Sequence, residues 1–300
     1  MKYLLTILMI MIQPSVQSEN LSVTFEGKEI TSLHRSELAL PSFEGEFIDQ
    51  EKLDEFTASL ESIVYEPPYN AYLDDHGQIK SEKMGHKLDQ EKWKSIVYAT
   101  YLQKGSTSIE VPVKTVYPKV DSELLASIKA KLISHYVTYF NSRNMERSHN
   151  IKLASEAINN HVVFPGETFS FNAVVGKRTI EKGYLPAPVI VRGELSEGIG
   201  GGICQVSSTL FNAVDQAGVK IIERYSHSRR VPYVPSKRDA TVSWYGPDFT
   251  FENEHNQPLL IQSKVYGGQL VIKVYSSETL EIKQQNIQSA PNQLPEEERL

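Results

Sequence analysis

The chain has 300 residues but a single cysteine, only two tryptophans, and no apolar run longer than the ten residues Tyr3–Ile12. One cysteine excludes an internal disulfide, so stability has to come from ordinary hydrophobic cores, and the length allows about two domains. It also excludes a multi-thiolate metal site, and the eight histidines show no ligand spacing with it. The ten-residue run is too short to span a bilayer, which takes about twenty apolar residues. Basic residues are not in excess: 31 Lys and Arg against 37 Asp and Glu give a formal net charge of −6, which disfavours a nucleic-acid partner. Neither a GxxxxGKS/T phosphate loop nor an internal repeat is present, and nothing calls for a cofactor.

What is present begins with Lys2, the apolar run, Pro14 and the modest residues Val16–Gln17–Ser18, the pattern of a secretory signal peptide over residues 1–18. Lys2 is its only charge, so removal would take the net charge from −6 to −7. The expectation is a secreted or extracytoplasmic protein with no stable membrane span after cleavage. In such a protein a leftover cysteine points to intermolecular pairing or to a reactive thiol.

That cysteine lies in GIGGGICQVSSTLFN, residues 198–212, the densest glycine cluster of the chain. Four glycines in five residues suit a tight turn or a close approach to bare backbone. Val206, Leu210, Ala213, Val214 and Ala217 then recur on one helical face, with Gly218 at the C′ position. Cys204 therefore falls at a helix N-terminus, where unsatisfied N–H groups and the dipole favour a thiolate.

Around this stretch the chain reads as α+β: a Cys-bearing helix packed on an antiparallel sheet, with a smaller α+β N-terminal domain over residues 19–119. In the N-terminal domain Asp49 caps a helix with Leu53, Phe56, Leu60 and Ile63 inward, and Asp89 caps a second with Trp93, Ile96, Val97, Thr100 and Tyr101. Ile109, Val111 and Val113 alternate as a strand. A linking helix is expected over 120–132, its apolar positions continuing through Leu132 to Tyr136. The second domain spans 133–276. Within it Arg147 precedes a helix with Leu153, Ala154, Ala157 and Ile158 inward, and Pro188–Val191 reads as a buried strand. Gly267–Gly268 joins two strands in a hairpin. Residues 277–300 read as a polar, solvated tail.

For chemistry, the sequence neighbour of Cys204 is His227, on the segment following the Cys helix, where an imidazole can take or share the thiol proton. A third group to hold the imidazole is sought in Asp239, then Asp248, then Asn253. Arg229 and Arg230 offer guanidinium forks for a substrate carboxylate, and Gln205 with the Cys204 N–H offers an oxyanion site. Gly200, Gly201 and Gly202 offer bare backbone to a peptide. Asn172, Trp244 and Tyr245 read as core or strand residues more readily than as cleft lining.

GGGICQVSSTLFNA, the upstream FPGETFSFNAVVGKRTIEKGYLPAPVI and the downstream ERYSHSRRVPYVPSKRDATVSWYGPDFTFEN resemble the VanW family, in the family's order, over about residues 133–275. One departure is Lys237, where many members have glycine before the DAT segment. PPYNAYLDDHGQIKSEKMGHKLDQEKW resembles part of the peptidoglycan-binding domain that often precedes VanW domains. The resemblance implies a cell-wall context and a cysteine-dependent L,D-transpeptidase acting on a peptidoglycan stem peptide. The alternatives are a non-catalytic wall-binding or accessory protein, or one whose thiol pairs with another chain.

Overall fold

The structure, a computed structural model, describes residues 20–41, 47–103, 105–191 and 194–292; the signal peptide expected over 1–18 lies outside these. The chain divides into two compact units, one comprising residues up to Asn70 together with Glu82–Lys119, the other Ala71–Ser81 together with the chain from Val120 onward.

In the smaller unit β1 (Asn20–Phe25) pairs antiparallel with β2 (Lys28–His34), across a turn in which Glu26 and Gly27 both take positive φ. Helix α1 (Gln50–Val64) starts where the Asp49 carboxylate accepts from the N–H groups of Glu51 and Lys52. Its buried stripe runs Leu53, Thr57, Leu60, Val64, which leaves Ile63 about a quarter-turn off the stripe and, contrary to expectation, exposed. The chain then contributes β3 (Tyr72–Leu73) and β4 (Ile79–Lys80) to the larger unit before returning. Strand β5 (Gly85–Leu88) leads to Asp89, the cap of α2 (Gln90–Tyr101). Trp93 is fully buried there and donates its indole N–H to Thr57 Oγ1 at 3.1 Å. The strand expected over Ile109–Val113 is divided at Pro112, which has no N–H to give a ladder. Its first part, β6 (Thr107–Glu110), joins β1 in parallel, and its second, β7 (Val113–Val116), pairs with β5.

The larger unit opens with α3 (Ser122–Ile128), capped by Asp121. The expected linking helix stops there. Residues Lys131–Tyr139 form a strand, β8, in which Ile133, Tyr136 and Thr138 turn inward while Leu132 faces out. Thr, Val and aromatic residues crowd this segment and favour the pleat over the helix. Helix α4 (Met145–Ile158) begins at the Asn144 cap, before Arg147, and buries Asn150, Ile151, Ala154, Ser155 and Ile158; Ala157 is exposed. Strand β9 (His161–Val163), β10 (Thr168–Ser170) and the short α5 (Phe171–Val175) follow. Next come β11 (Pro186–Val191) and β12 (Glu194–Ile199), which pair only with each other, so β11 is half-exposed rather than the buried strand expected.

Helix α6 (Ile203–Gln216) carries Cys204. It is followed by β13 (Lys220–Glu223), β14 (Thr250–Glu252), β15 (Leu259–Tyr266) and β16 (Gln269–Ser276). The main sheet is antiparallel, in the order β8-β16-β15-β9, and α6 packs on β8 and β16 while α4 packs on β15. A second antiparallel sheet has the order β10-β14-β13. The α+β fold, with the Cys-bearing helix on an antiparallel sheet, is thus the one observed. Val206, Leu210, Ala213 and Val214 are fully buried against Ile272, Val274 and Phe249, each large side chain worth about 1.5–3 kcal/mol.

The chain after Ser277 is not a solvated tail as far as residue 292. Leu280 and Ala290 are buried, Ile282 and Ile287 pack on the same core, and Lys131 and Tyr136 donate to the carbonyls of Leu280 and Gln288. Its apolar residues are spaced for a strap laid across a surface and show no helical or strand period, which is why composition alone reads them as solvated.

Candidate functional site

The turn into α6 is set by backbone. Gly200 and Gly202 take φ of 84° and 105°, conformations that side chains resist. A Cβ on Gly201 would stand 2.6 Å from the carbonyl oxygens of Ala187 and Pro188, one on Gly202 2.9 Å from Arg147 Cγ, and one on Gly200 3.2 Å from Arg178 Cβ. On the side where a side chain would stand, Gly200, Gly201 and Gly202 are met by the chain's own atoms, so glycine is required there for the turn itself. Gly202 is the N-cap, and Cys204 is the second residue of α6, where an N–H has no acceptor within the helix.

The polar face of α6 grips the segment Arg238–Val242. Ser207 Oγ donates to Ala240 O at 2.6 Å, and Ser208 Oγ accepts from Ala240 N at 2.9 Å. Asn212 donates to Arg238 O at 2.8 Å and accepts from Arg238 Nε at 2.7 Å. Arg224, stacked over Phe211, donates to Asp239 O at 2.7 Å. These bonds fix two things. They bring Val242 O and Thr241 Oγ1 to 3.5 and 3.8 Å from Cys204 Sγ, and they aim Asp239 at His227.

His227 lies on a loop rather than a strand, and the Asp239 carboxylate holds it twice through one oxygen. Oδ2 accepts from the His227 backbone N–H at 2.6 Å and meets Nδ1 at 2.7 Å. With Nδ1–H given to the carboxylate, Nε2 is left for the thiol. Burial disfavours the imidazolium, but hydrogen bonds to Asp239 and Cys204 and the charges of both outweigh it and raise His227 to about 9. Burial likewise opposes the Cys204 thiolate, yet the hydrogen bond and charge of His227 bring the thiol below its ordinary range. Both shifts move the pair toward thiolate and imidazolium. Asp239 is held below its usual value for the same reason: burial raises it, and the bonds to His227 more than reverse that.

The other candidates separate cleanly. Asp248 caps α5, accepting from Ser170 Oγ and the N–H groups of Asn172 and Phe249, and Asn253 is buried, donating to Val163 O and Gln257 O. Neither serves His227. Gln205 is fully buried; its Nε2 donates to Thr138 Oγ1 and Tyr139 O, and its Oε1 accepts from Arg147. It has no donor left for an oxyanion, so that assignment is corrected. Arg229 and Arg230 are exposed beyond His227. Asn172 Nδ2 donates to Ser243 O and Pro247 O and holds the loop bearing the exposed Trp244 and Tyr245.

One cation was not singled out from the sequence. Arg178 donates from Nη1 to Asn172 Oδ1 at 2.7 Å and lies over the Phe171 ring, while its Nη2 is buried with no hydrogen-bond partner. Burial lowers its pKa, and the charges of Cys204, Tyr184 and Asp248 work the other way. The sequence signal was its place in VVGKRT, inside the motif-rich stretch, but nothing local says where the side chain goes. Among the described residues no group of three or more His, Cys, Asp or Glu could hold a metal ion, and no helix is long and apolar enough to cross a membrane.

A family model described as "VanW like protein" matches residues 146–275, the stretch that contains Cys204, His227, Asp239 and Arg178. The chain is 53% identical over 294 residues to the uncharacterized protein YoaR of Bacillus subtilis, covering 98% of this chain and 97% of that one. The chain belongs to the VanW family. The Vancomycin B-type resistance protein VanW of Enterococcus faecalis is 30% identical over 114 residues, 38% of this chain and 42% of that one. No solved structure matches. The VanW match begins one residue into α4 and ends one residue short of the end of β16, so it holds most of the main sheet and the residues that contact the Cys204 sulfur but not β8, α3 or the strap after Ser277.

Proposed function

We propose that this VanW-family protein is exported to the cell wall and is a cysteine acyl transferase of the L,D-transpeptidase type, acting on peptidoglycan stem peptides. The observation that carries the reading is the grouping of Cys204, His227 and Asp239: a thiol at a helix start, an imidazole whose influence lowers that thiol, and a carboxylate 2.7 Å from the imidazole Nδ1. This is the order of parts by which a thiol is activated.

In the reaction the Cys204 thiolate attacks the carbonyl carbon of the L,D-peptide bond, and the oxyanion formed is met by the Cys204 N–H at the start of α6. The C–N bond breaks as the His227 imidazolium gives its proton to the departing amine, which leaves a thioester on Cys204 and a neutral imidazole. An amine of a second stem, or water, then attacks the thioester. His227 takes the proton from the attacking group, the C–S bond breaks, and the thiolate–imidazolium pair is restored.

The test is incubation of the purified protein with a disaccharide-tetrapeptide under reducing conditions. Cross-linked or trimmed products and a Cys204 adduct by intact mass are the expected result, both abolished in Cys204→Ala. Retained binding with neither product nor adduct would replace this reading by a non-catalytic wall-binding or accessory role. An intact mass beginning at Met1 in the exported protein would overturn signal removal.

A further inference from the structure

Arg178 is a half-buried cation whose Nη2 is buried and with which no carboxylate pairs among the described residues. Its Nη1 is used by Asn172, its Nη2 has no acceptor, and it forms no ion pair among the described residues. Asp248, the carboxylate whose charge reaches it, spends its oxygens on Ser170, Asn172 and Phe249. A guanidinium N–H desolvated without an acceptor is costly, and it is tolerated where a ligand supplies the acceptor.

The position of the group says which ligand. The Arg178 stem lies against Gly200, in the turn that delivers Cys204, and the guanidinium is near enough for a charge on the Cys204 sulfur to act on it. Asn172 joins it to Ser243 O and Pro247 O, in the loop that continues directly from Thr241 and Val242 at the sulfur. The sulfur itself already has His227 and Thr241 as partners. What the thiolate attacks can bring an oxygen acceptor to Nη2.

We propose that Arg178 is the specificity residue of the thiol site, receiving the α-carboxylate of the residue that departs, so that the bond broken is the last peptide bond of a chain ending in a free acid. This rests on the acyl-transfer reading of Cys204. In a peptide the terminal carboxylate lies two bonds beyond the nitrogen of that last peptide bond, so a cation whose stem packs on the turn that delivers Cys204 is placed to meet it. The planar fork of Arg suits a carboxylate, and Lys would supply only a point charge.

The experiment uses two matched peptides, L-Ala-γ-D-Glu-L-Lys-D-Ala as the free acid and as its C-terminal amide. Binding to the full chain carrying Cys204→Ala is measured by calorimetry, and thioester formation on the otherwise wild-type protein by intact mass. Arg178→Gln is expected to weaken binding and acylation by the acid by about ten- to a hundredfold, the usual span for a lost hydrogen bond to a charged group, and to leave the amide unchanged. Arg178→Lys should keep part of the preference. The melting temperature checks the fold of each variant, and where Arg178→Gln fails that check Arg178→Lys is read instead. Equal losses on acid and amide, or no loss on the acid, overturn the assignment. If wild type forms no thioester while Cys204→Ala still prefers the acid through Arg178, the acyl-transfer reading falls and the carboxylate site stands. If neither peptide binds, both fall.

Discussion

Asp239 holds His227 from twelve positions away, and the two meet because α6 clamps Arg238–Val242. Asp239→Asn removes the charge that raises the imidazole. Alkylation of Cys204 at pH 7 should then slow by about tenfold or more, as a charge-assisted bond is worth about 1.5–3 kcal/mol; an unchanged rate would show that the carboxylate does not act through His227. The pH profiles should part company. The thiolate forms below the ordinary thiol range, so alkylation holds its rate on the alkaline side, whereas acyl transfer needs the imidazolium and declines as pH rises through about 9. Coincident alkaline limbs would contradict this. Cys204, His227 and Asp239 could be named from the sequence because thiol, imidazole and carboxylate chemistry restrict the choice. Gln205 was misjudged because its reach to Thr138, Tyr139 and Arg147 depends on packing alone. Lys237 has φ of 64°, the conformation that the family's glycine would adopt without strain. Lys237→Gly should accordingly leave the melting temperature unchanged or raise it, where a Lys-to-Gly change elsewhere would lower it.

Among elements, those marked by caps and periodicity were legible: Asp49, Asp89 and Asp121 all accept from the first turns of their helices, and the Gly267–Gly268 hairpin forms as expected. The errors fell where tertiary pairing overrides local pattern. Residues Lys131–Tyr139 carry apolar positions compatible with either period, and it is β16 that makes them a strand. The glycine turn is similarly decided by its neighbours. Gly201→Ala drives a methyl into two carbonyl oxygens, so it should cost at least about 1–3 kcal/mol in denaturant midpoint and slow Cys204 alkylation as the start of α6 shifts. A variant of wild-type stability would refute the close approach. At the other end of the unit, Leu280→Ala should cost about 2–5 kcal/mol, the range for a leucine deleted from a core, where a solvated tail would cost nothing.

At the scale of the whole molecule, the change of character at Val120 falls where the chain enters the larger unit for good, whereas no sequence signal marks the excursion Ala71–Ser81. That segment buries Ala71 and Leu73 with Val120, Leu125, Val162 and Leu260, and Asn160 brackets Leu73 by hydrogen bonds to its N–H and C=O. A fragment beginning at Val120 should therefore melt below the larger unit in the intact chain, and adding the peptide 71–81 should recover part of the loss. The order of strands also has a temporal meaning. Strand β8 has β16 as its neighbour, and Val137 meets Val271 across almost the whole length of the unit. During synthesis, residues 131–139 emerge long before their partner and wait as an unpaired edge, while the smaller unit has all its strands by Val116. A nascent chain halted at Gly268 would hold Cys204 on a helix that lacks one of its two supporting strands, β16, so the thiol should gain its full reactivity only once residues 269–276 have been added.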